Sequence, residues 1–240
     1  MLNSVSPPRP QASQLVYNNL PQVAGLSTRW GFACVVETAE HRMLFDTGGD
    51  GEALLANMHR LGLDPRRIEA VVLSHIHGDH TGGLREFLAR NPRVNVYIPS
   101  CFPASFRAQI ERAGARVETV AGPRQLLDGL HSTGEMDSGT EEQALIIDTA
   151  RGLVIITGCA HPDIVDMTAA ARDYLDKDIV LLIGGFHLRG KGQAELRTII
   201  ARLKELGVRK VAPSHRTGER AITLFREAGA KILLRVAWAL

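Results

Sequence analysis

The chain has 240 residues, 45% hydrophobic and 22% charged, which is the composition of an ordinary globular protein able to bury a full core without staples. Its net charge of +2 is small and scattered, and its aromatic content is only 5%, so neither a membrane surface nor base-stacking along a nucleic acid is expected, and the partner should be a small molecule. Three cysteines at unrelated spacings, Cys34, Cys101 and Cys159, fit a reducing, cytoplasmic setting; the start MLNSVSPPRPQASQ has no apolar core of signal-peptide length, and runs such as DIVLLIGG are too short to span a bilayer.

Residues 1–13 are polar and proline-bearing and are expected to be disordered. LVYNN, FACVVET and HRMLFDT then read as strands. In GEALLANMHRL, Leu54, Leu55, Met58 and Leu61 recur at helical spacing, and Gly62 closes the helix. IEAVVLS is a strand, Gly82 to Ala89 a helix, VNVYIP a strand, FRAQIERAG a helix and ARVETV a short strand. QALIIDT and GLVIITG form a hairpin across Ala150 to Gly152, followed by a helix near Ile164 to Leu175 and the strand DIVLLIGG. Helix QAELRTIIARLKEL, strand KVAPS, helix ERAITLFREAG and a final strand KILLRV complete the chain. There is no repeat and no linker, so one domain over 1–240 is the economical reading. Strand pairs open each half and helices are interspersed, which predicts two sheets packed face to face with helices outside each: a four-layer αββα sandwich.

The stretch SHIHGDH places three histidines and an aspartate directly after the apolar run IEAVVL. Alternate side chains of an extended segment share a face, so His75 and His77 can point at one ion while Asp79 and His80 turn toward a second. Gly78 lets the backbone bend between the pairs, and Gly82 and Gly83 open the next helix where chain and ligands crowd. Imidazole and carboxylate donors suit zinc, iron or manganese, and the lack of nearby cysteine pairs argues against a closed structural zinc site. The competing reading, a chance cluster on an exposed turn, does not explain the strand before and the glycines after.

His75-Ile-His77-Gly-Asp79-His80 resembles the HxHxDH signature of the metallo-β-lactamase superfamily. Further landmarks follow in order: Phe45-Asp46-Thr47-Gly48, GCAHP with His161, and PSHRTG with His215. The set GFACVVE, LFDTGG, LSHIHGDHTGGL, EEQALII, GLVIITGCAHP, IGGFHL and PSHRTG is similar to one branch, the dihydropterin–ribofuranosylaminobenzene phosphate synthase-like proteins, described as metal-dependent hydrolases. The resemblance implies an αββα sandwich with one or two metals, Zn2+ first and Mn2+ or Fe2+ as alternatives, at the sheet edge between its halves. It implies His75, His77 and His161 as ligands of a first metal, Asp79, His80 and His215 as those of a second, and Asp46 beside a ligand as an orienting group. One departure stands out: many members bridge the metals with an aspartate between the last two histidine motifs, and here Cys159 is the nearest residue to that position. Cys159 is therefore open between that place and a buried packing role, and occupancy by one ion instead of two is open as well.

His187 follows Ile-Gly-Gly-Phe at a strand's end and is the best further candidate, as a substrate contact or proton donor. Arg189, Lys191, Arg216 and Arg220 fall near the metal loops and are candidates for clamping a phosphate or carboxylate, with a solvated surface as the alternative. Cys34 and Cys101 read as packing residues, and His41, His59 and His131, in a turn, on a polar helix face and in a loop, read as inert. The loop HSTGEMDSGTEE, with Met136 and Asp137, either caps the site or only connects strands. The expected function is a metal-dependent hydrolase in which a metal-bound hydroxide, formed as water's pKa falls from about 16 to about 7, attacks a small anionic substrate, phosphorylated or pterin-like. In that scheme Asp79 holds an ion and the nucleophile, and His187 serves the leaving group. A lactonase or thioesterase, a synthase-type transferase and a metal-containing binding or regulatory protein with little turnover are the alternatives. An iron-centred redox protein ranks last, since the chain leaves no room for a flavin module.

Overall fold

Most central strands of the chain are apolar on both faces, because each sheet is covered twice. The computed structural model describes residues 12–19, 25–233 and 237–239. One sheet is built from β1 (Ala12–Asn18), β2 (Phe32–Glu37), β3 (Arg42–Phe45), β4 (Ala70–Val72), β5 (Asn95–Pro99) and β6 (Arg116–Val120), the other from β7 (Arg124–Leu127), β8 (Leu130–Ser132), β9 (Leu145–Thr149), β10 (Gly152–Thr157), β11 (Ile179–Gly184), β12 (Lys210–Pro213) and β13 (Lys231–Ile232). A last strand, β14 (Ala237–Ala239), returns to the first sheet, giving the orders β14-β1-β2-β3-β4-β5-β6 and β13-β12-β11-β10-β9-β8-β7.

Strand alternation divides the apolar side chains among three cores. In β10, Val154 and Ile156 face the opposite sheet while Leu153 and Ile155 face helices. In β2, Phe32, Cys34 and Val36 turn inward and Ala33 and Val35 outward. Outside the first sheet pack α1 (Gly51–Arg60), α3 (Leu84–Arg90) and α4 (Ala104–Arg112), through Leu54, Met58, Phe87, Leu88 and Ile110. Outside the second lie α5 (Ile164–Leu175), α6 (Gln193–Glu205) and α7 (Glu219–Glu227). The α6 stripe Leu196, Ile199, Ile200 and Leu203 has the spacing of one helical face, and all four are buried. The result is the four-layer αββα sandwich expected from the sequence.

In each sheet one strand marks a change of direction. β3 runs antiparallel to β2 and parallel to β4, and β10 runs antiparallel to β9 and parallel to β11. Loops that leave the carboxyl ends of parallel strands beside such a switch form a crevice, the usual place for ligands in open α/β sheets. The two switch points are tied together by Gln143, fully buried, which donates from Nε2 to the Leu73 carbonyl at 2.9 Å and accepts from Ser132 Oγ at 2.6 Å, while its backbone N–H donates to the Ser74 carbonyl at 2.9 Å.

Several local expectations are revised. Ala12 and Ser13 belong to β1 and are ordered by pairing with β2 and β14; residues 1–11 lie outside the described residues. The segment after His77 is not extended: Gly78–Thr81 forms a helical turn, α2, so Asp79 and His80 leave a helix, and the helix expected from Gly82 begins at Leu84. His131 lies on β8, and the loop after it connects β8 to β9 through a Met136↔Glu142 bridge, with Met136 packed on the outer core. Of KILLRV, Lys231–Ile232 form β13 beside β12, and 234–236 lie outside the described residues. The short strands β7, β8 and β14 were not anticipated. Among the described residues no helix is long and apolar enough to cross a membrane.

Replacing Gln143 by alanine leaves the Leu73 carbonyl and the Ser132 hydroxyl short of a buried partner, and urea unfolding should report a loss of about 1–3 kcal/mol.

Candidate metal centre

The crevice is furnished by five strand ends. Asp46 follows β3, Ser74 and His75 follow β4, Gly158 to His161 follow β10, His187 follows β11, and Ser214 and His215 follow β12. Asp46 is fully buried with a left-handed backbone, φ 57°. Its carboxylate accepts from the Ser74 N–H at 2.7 Å, the Ser74 hydroxyl at 2.8 Å and His80 Nδ1 at 2.7 Å. Because Ser74 Oγ donates to Asp46, it accepts from His75 Nδ1 at 2.8 Å. His215 Nδ1 donates in turn to Asn19 Oδ1 at 2.8 Å. Three imidazoles thus have Nδ1 engaged, which fixes the tautomer and leaves the Nε2 lone pair for a cation.

Those lone pairs converge in two groups. The ligand atoms of His75, His77 and His161 lie within 4.8 Å of one another, as do those of Asp79, His80 and His215. Asp79 Oδ2 is 3.2 Å from His215 Nε2 and 3.8 Å from His80 Nε2. Nε2 of His75, His161 and His215 and Oδ2 of Asp79 are buried without a hydrogen-bond partner. Buried polar atoms rarely go unpaired, and four facing common points with nitrogen and oxygen donors fit a divalent cation at each triad. A third group joins them: the Cys159 thiol is 3.2 Å from His80 Nε2 and falls with His75 and His80, one residue from each triad. Cys159 therefore stands between the two groups, and no carboxylate of the described residues takes that place in these groups.

A second buried carboxylate holds the other half of the crevice. Glu142 accepts the backbone N–H groups of Gly158, Cys159 and Ala160 on Oε1 at 2.9–3.0 Å and that of His161 on Oε2 at 2.9 Å, fixing the turn that presents Cys159 and His161. Its Oε2 is 3.8 Å from His75 Nδ1. Gly158 is needed where the halves touch: a Cβ there would lie 2.1 Å from Ser74 Oγ and 2.9 Å from Asp46 Oδ2.

The electrostatics follow from burial and neighbours. Burial, reinforced by the other imidazoles, lowers His75 well below the ordinary histidine value and takes His161 down to about 4. Burial also lowers His215 and His187, with Arg216 adding to both. Burial opposes protonation of His80, but Asp46, Asp79 and Glu142 outweigh it and its pKa is raised. For Asp79 burial is outweighed by His215 and His80, and its pKa is lowered. Burial raises Glu142 against its backbone donors and raises the Cys159 thiol, with Glu142 adding to the latter.

Around this core, the His187 ring lies 4.6 Å from that of His161, on a left-handed backbone at φ 49°. Arg216, φ 56°, approaches Asp79 Oδ2 to 3.8 Å. Arg189 and Arg220 are exposed beside it, and Lys191 pairs with Glu195. Cys34 is buried and Cys101 exposed, both away from the triads. Glu142, Ser74, Asn19 and Trp30, whose ring meets His215 edge-on at 4.8 Å, were not singled out from the sequence. Only Glu142 left a trace there, as a carboxylate at the mouth of the buried run QALII.

The metallo-beta-lactamase superfamily model matches residues 31–215. The chain is 30% identical over 231 aligned positions to the 7,8-dihydropterin-6-methyl-4-(beta-D-ribofuranosyl)-aminobenzene-5'-phosphate synthase of Methanocaldococcus jannaschii, covering 78% of this chain and 79% of that one. It is 30% identical over 166 positions to the atrochrysone carboxyl ACP thioesterase AacuM of Aspergillus aculeatus, covering 60% of this chain and 53% of the other. Among solved structures, Tm1679, a metal-dependent hydrolase of the beta-lactamase superfamily, superposes with a TM-score of 0.81 at 23% identity over 96% of this chain and 99% of that one, a likeness in fold.

In metal-free protein His75, His161, His187 and His215 bind fewer protons than in the unfolded chain, so each contributes stability that is present above pH ~6.5 and lost as pH falls through its lowered value. His80 and Glu142, both raised, have the opposite sign. The chelator-treated protein should therefore melt at a lower temperature at pH 5 than at pH 7, and His161→Asn should flatten that dependence. Separately, Glu142→Gln keeps the side-chain volume but turns an N–H donor toward backbone N–H groups, and urea unfolding should show a loss of about 1–3 kcal/mol.

Proposed function

The chain belongs to the metallo-β-lactamase superfamily, and on that premise we propose that it is a metal-dependent hydrolase acting on a small anionic substrate, phosphorylated or pterin-like. The observation that carries this reading is the convergence of two triads of ligand atoms on one crevice, with Nε2 of His75, His161 and His215 and Oδ2 of Asp79 buried and unpartnered. His75, His77 and His161 would hold one cation and Asp79, His80 and His215 the other. Zn2+ suits these donors first, with Mn2+ or Fe2+ as alternatives. When bound, such an ion supplies a nucleophile from water at neutral pH and polarises the bond under attack.

The chain's own residues do the remaining work. Asp46, Ser74 and Asn19 keep three imidazoles in the ligating tautomer, so little reorganisation accompanies binding. Asp79, with its lowered pKa, stays ionised and accepts a hydrogen bond from the attacking water. His187, kept neutral at pH 7 by burial and by Arg216, contacts the substrate and serves the leaving group through its ring N–H. Arg189, Arg216 and Arg220 supply positive charge beside the second triad, which supports an anionic substrate, as does the 5'-phosphate in the name of the archaeal relative. The fungal relative's thioesterase name supports hydrolysis, with a thioester as the alternative bond. The free thiols, with Cys101 exposed, support a cytoplasmic setting.

A second reading has its own observation. The archaeal relative is named a synthase, so transfer to an acceptor other than water fits the same site. A third, binding or regulation with little turnover, is favoured by the protonated Cys159 thiol standing where a carboxylate would bridge the ions.

The test replaces His77 and His80 singly by alanine and measures metal content and turnover of phosphodiester, lactone and thioester substrates. Each variant should lose metal and activity together. Unchanged metal stoichiometry in both removes the metal-centre reading, and turnover of every substrate far below about 1 per second in metal-loaded parent protein favours the regulatory one.

A further inference from the structure

Beyond His215 the crevice continues into a cavity of about 570 Å³, lined among others by Trp30, Arg189, Ser214, Arg216, Thr217 and Arg220. We propose that this cavity is a receptor for a phosphate monoester that the substrate carries at the end remote from the bond being broken. The proposal rests on the small-anion hydrolase reading and adds the chemistry and place of the recognised group.

Three kinds of donor meet there. Trp30 holds two guanidinium groups, with Arg216 Cζ 5.4 Å and Arg189 Cζ 5.9 Å from its ring centroid, so the positive charge is stacked in place instead of sweeping through solvent. Among the described residues no carboxylate pairs with Arg189 or Arg220, and the one nearest Arg216 is Asp79 of the second triad at 3.8 Å. Ser214 and Thr217, at 3% and 0% exposure, carry hydroxyls without a hydrogen-bond partner, and Arg216 Nε is likewise buried and unpaired. Finally, the N-terminus of α7 opens on the cavity. Its N-cap is Gly218, φ 83°, which has no side chain to accept from the first turn, so backbone N–H groups and the positive end of the helix dipole are available to an anion.

The backbone aims these groups. The Arg216 carbonyl accepts from both the Leu188 and Arg189 N–H groups at 3.1 Å, which clips the loop after β11 to the loop after β12 and sets Arg189 opposite Arg216. Arg216 itself takes a left-handed conformation, a strain that persists only where surrounding contacts enforce it. Three guanidiniums, two hydroxyls and a helix end offer more donors than the two coplanar oxygens of a carboxylate accept, whereas a tetrahedral phosphate with three terminal oxygens can engage them all. Opposing this, Glu219 lies on the rim in the first turn of α7, and Lys191 is paired with Glu195. Because the lining includes Ser214 and Arg216, on either side of His215, but no residue of either triad, a group seated there is a handle for positioning, with its binding energy used at a distance from the reacting bond.

The test uses phenyl phosphate as probe, titrated into the full-length, metal-loaded protein by calorimetry, with benzoate as the carboxylate of matching shape. Phenyl phosphate should bind more tightly than benzoate. The double variant R189A/R220A, at unchanged metal content, should weaken phenyl phosphate by about tenfold or more, and Glu219→Gln should tighten it. Absence of binding to the parent protein, equal affinity in R189A/R220A, or benzoate binding as tightly as phenyl phosphate would overturn the proposal. Because the readout is binding, it can fail while hydrolysis of an unphosphorylated substrate survives, and it can succeed in a protein that turns nothing over.

Discussion

The structure depends on one buried constraint: imidazoles that repel one another when charged must be gathered from distant stretches and aimed at common points. Asp46 meets it for the first half of the chain, by binding the backbone and hydroxyl of Ser74 and the ring of His80 at once. Glu142 meets it for the second half, by gripping four successive backbone N–H groups from Gly158 to His161. Each carboxylate is costly to bury and each is saturated with donors, the condition under which a buried charge is tolerated. Where the two arrangements meet only glycine fits, at Gly158.

The sandwich exists to bring those two assemblies face to face. Its middle core, with Phe45 and Val72 from one sheet and Ile156 and Ile183 from the other, lies beneath the crevice and sets the distance between its walls. The outer cores are independent of that distance and anchor helices whose ends enter the site, α7 above all. The direction change at β3 and at β10 then explains why the candidate ligands arrive from β4, β10 and β12, elements separated by long stretches of chain, with Asp46 after β3 beside them.

Much of this was legible in the sequence, for reasons that can be named. Long apolar runs such as GLVIITG and the stripe Leu196, Ile199, Ile200, Leu203 declare strands and helices because burial imposes their period. The crowding of His75, His77, Asp79 and His80 marks a candidate metal loop because all four lie within one local stretch, although α2 turns the last two differently from the extended geometry expected. His161 and His215 came from resemblance, since nothing local distinguishes them from other histidines. The edge strand β7 and its neighbour β8 escaped because they are only four and three residues long, too short to carry a legible alternation. Glu142 escaped because its partners are backbone N–H groups, which every sequence has, and Asn19 because its contact with His215 spans 196 positions.

Four of the six positive-φ non-glycine residues among the described residues, Asp46, Ala160, His187 and Arg216, lie along the crevice. Each such conformation costs on the order of 1–3 kcal/mol. Selection for heat resistance would meet a conflict here, because glycine at these kinks relieves the backbone cost but at Asp46, His187 and Arg216 removes a side chain that faces the crevice or its cavity. The crevice and the three cores are thus under opposed selection, and tolerance for the crevice's tension rests on how well β10, β11 and the helices behind them are packed.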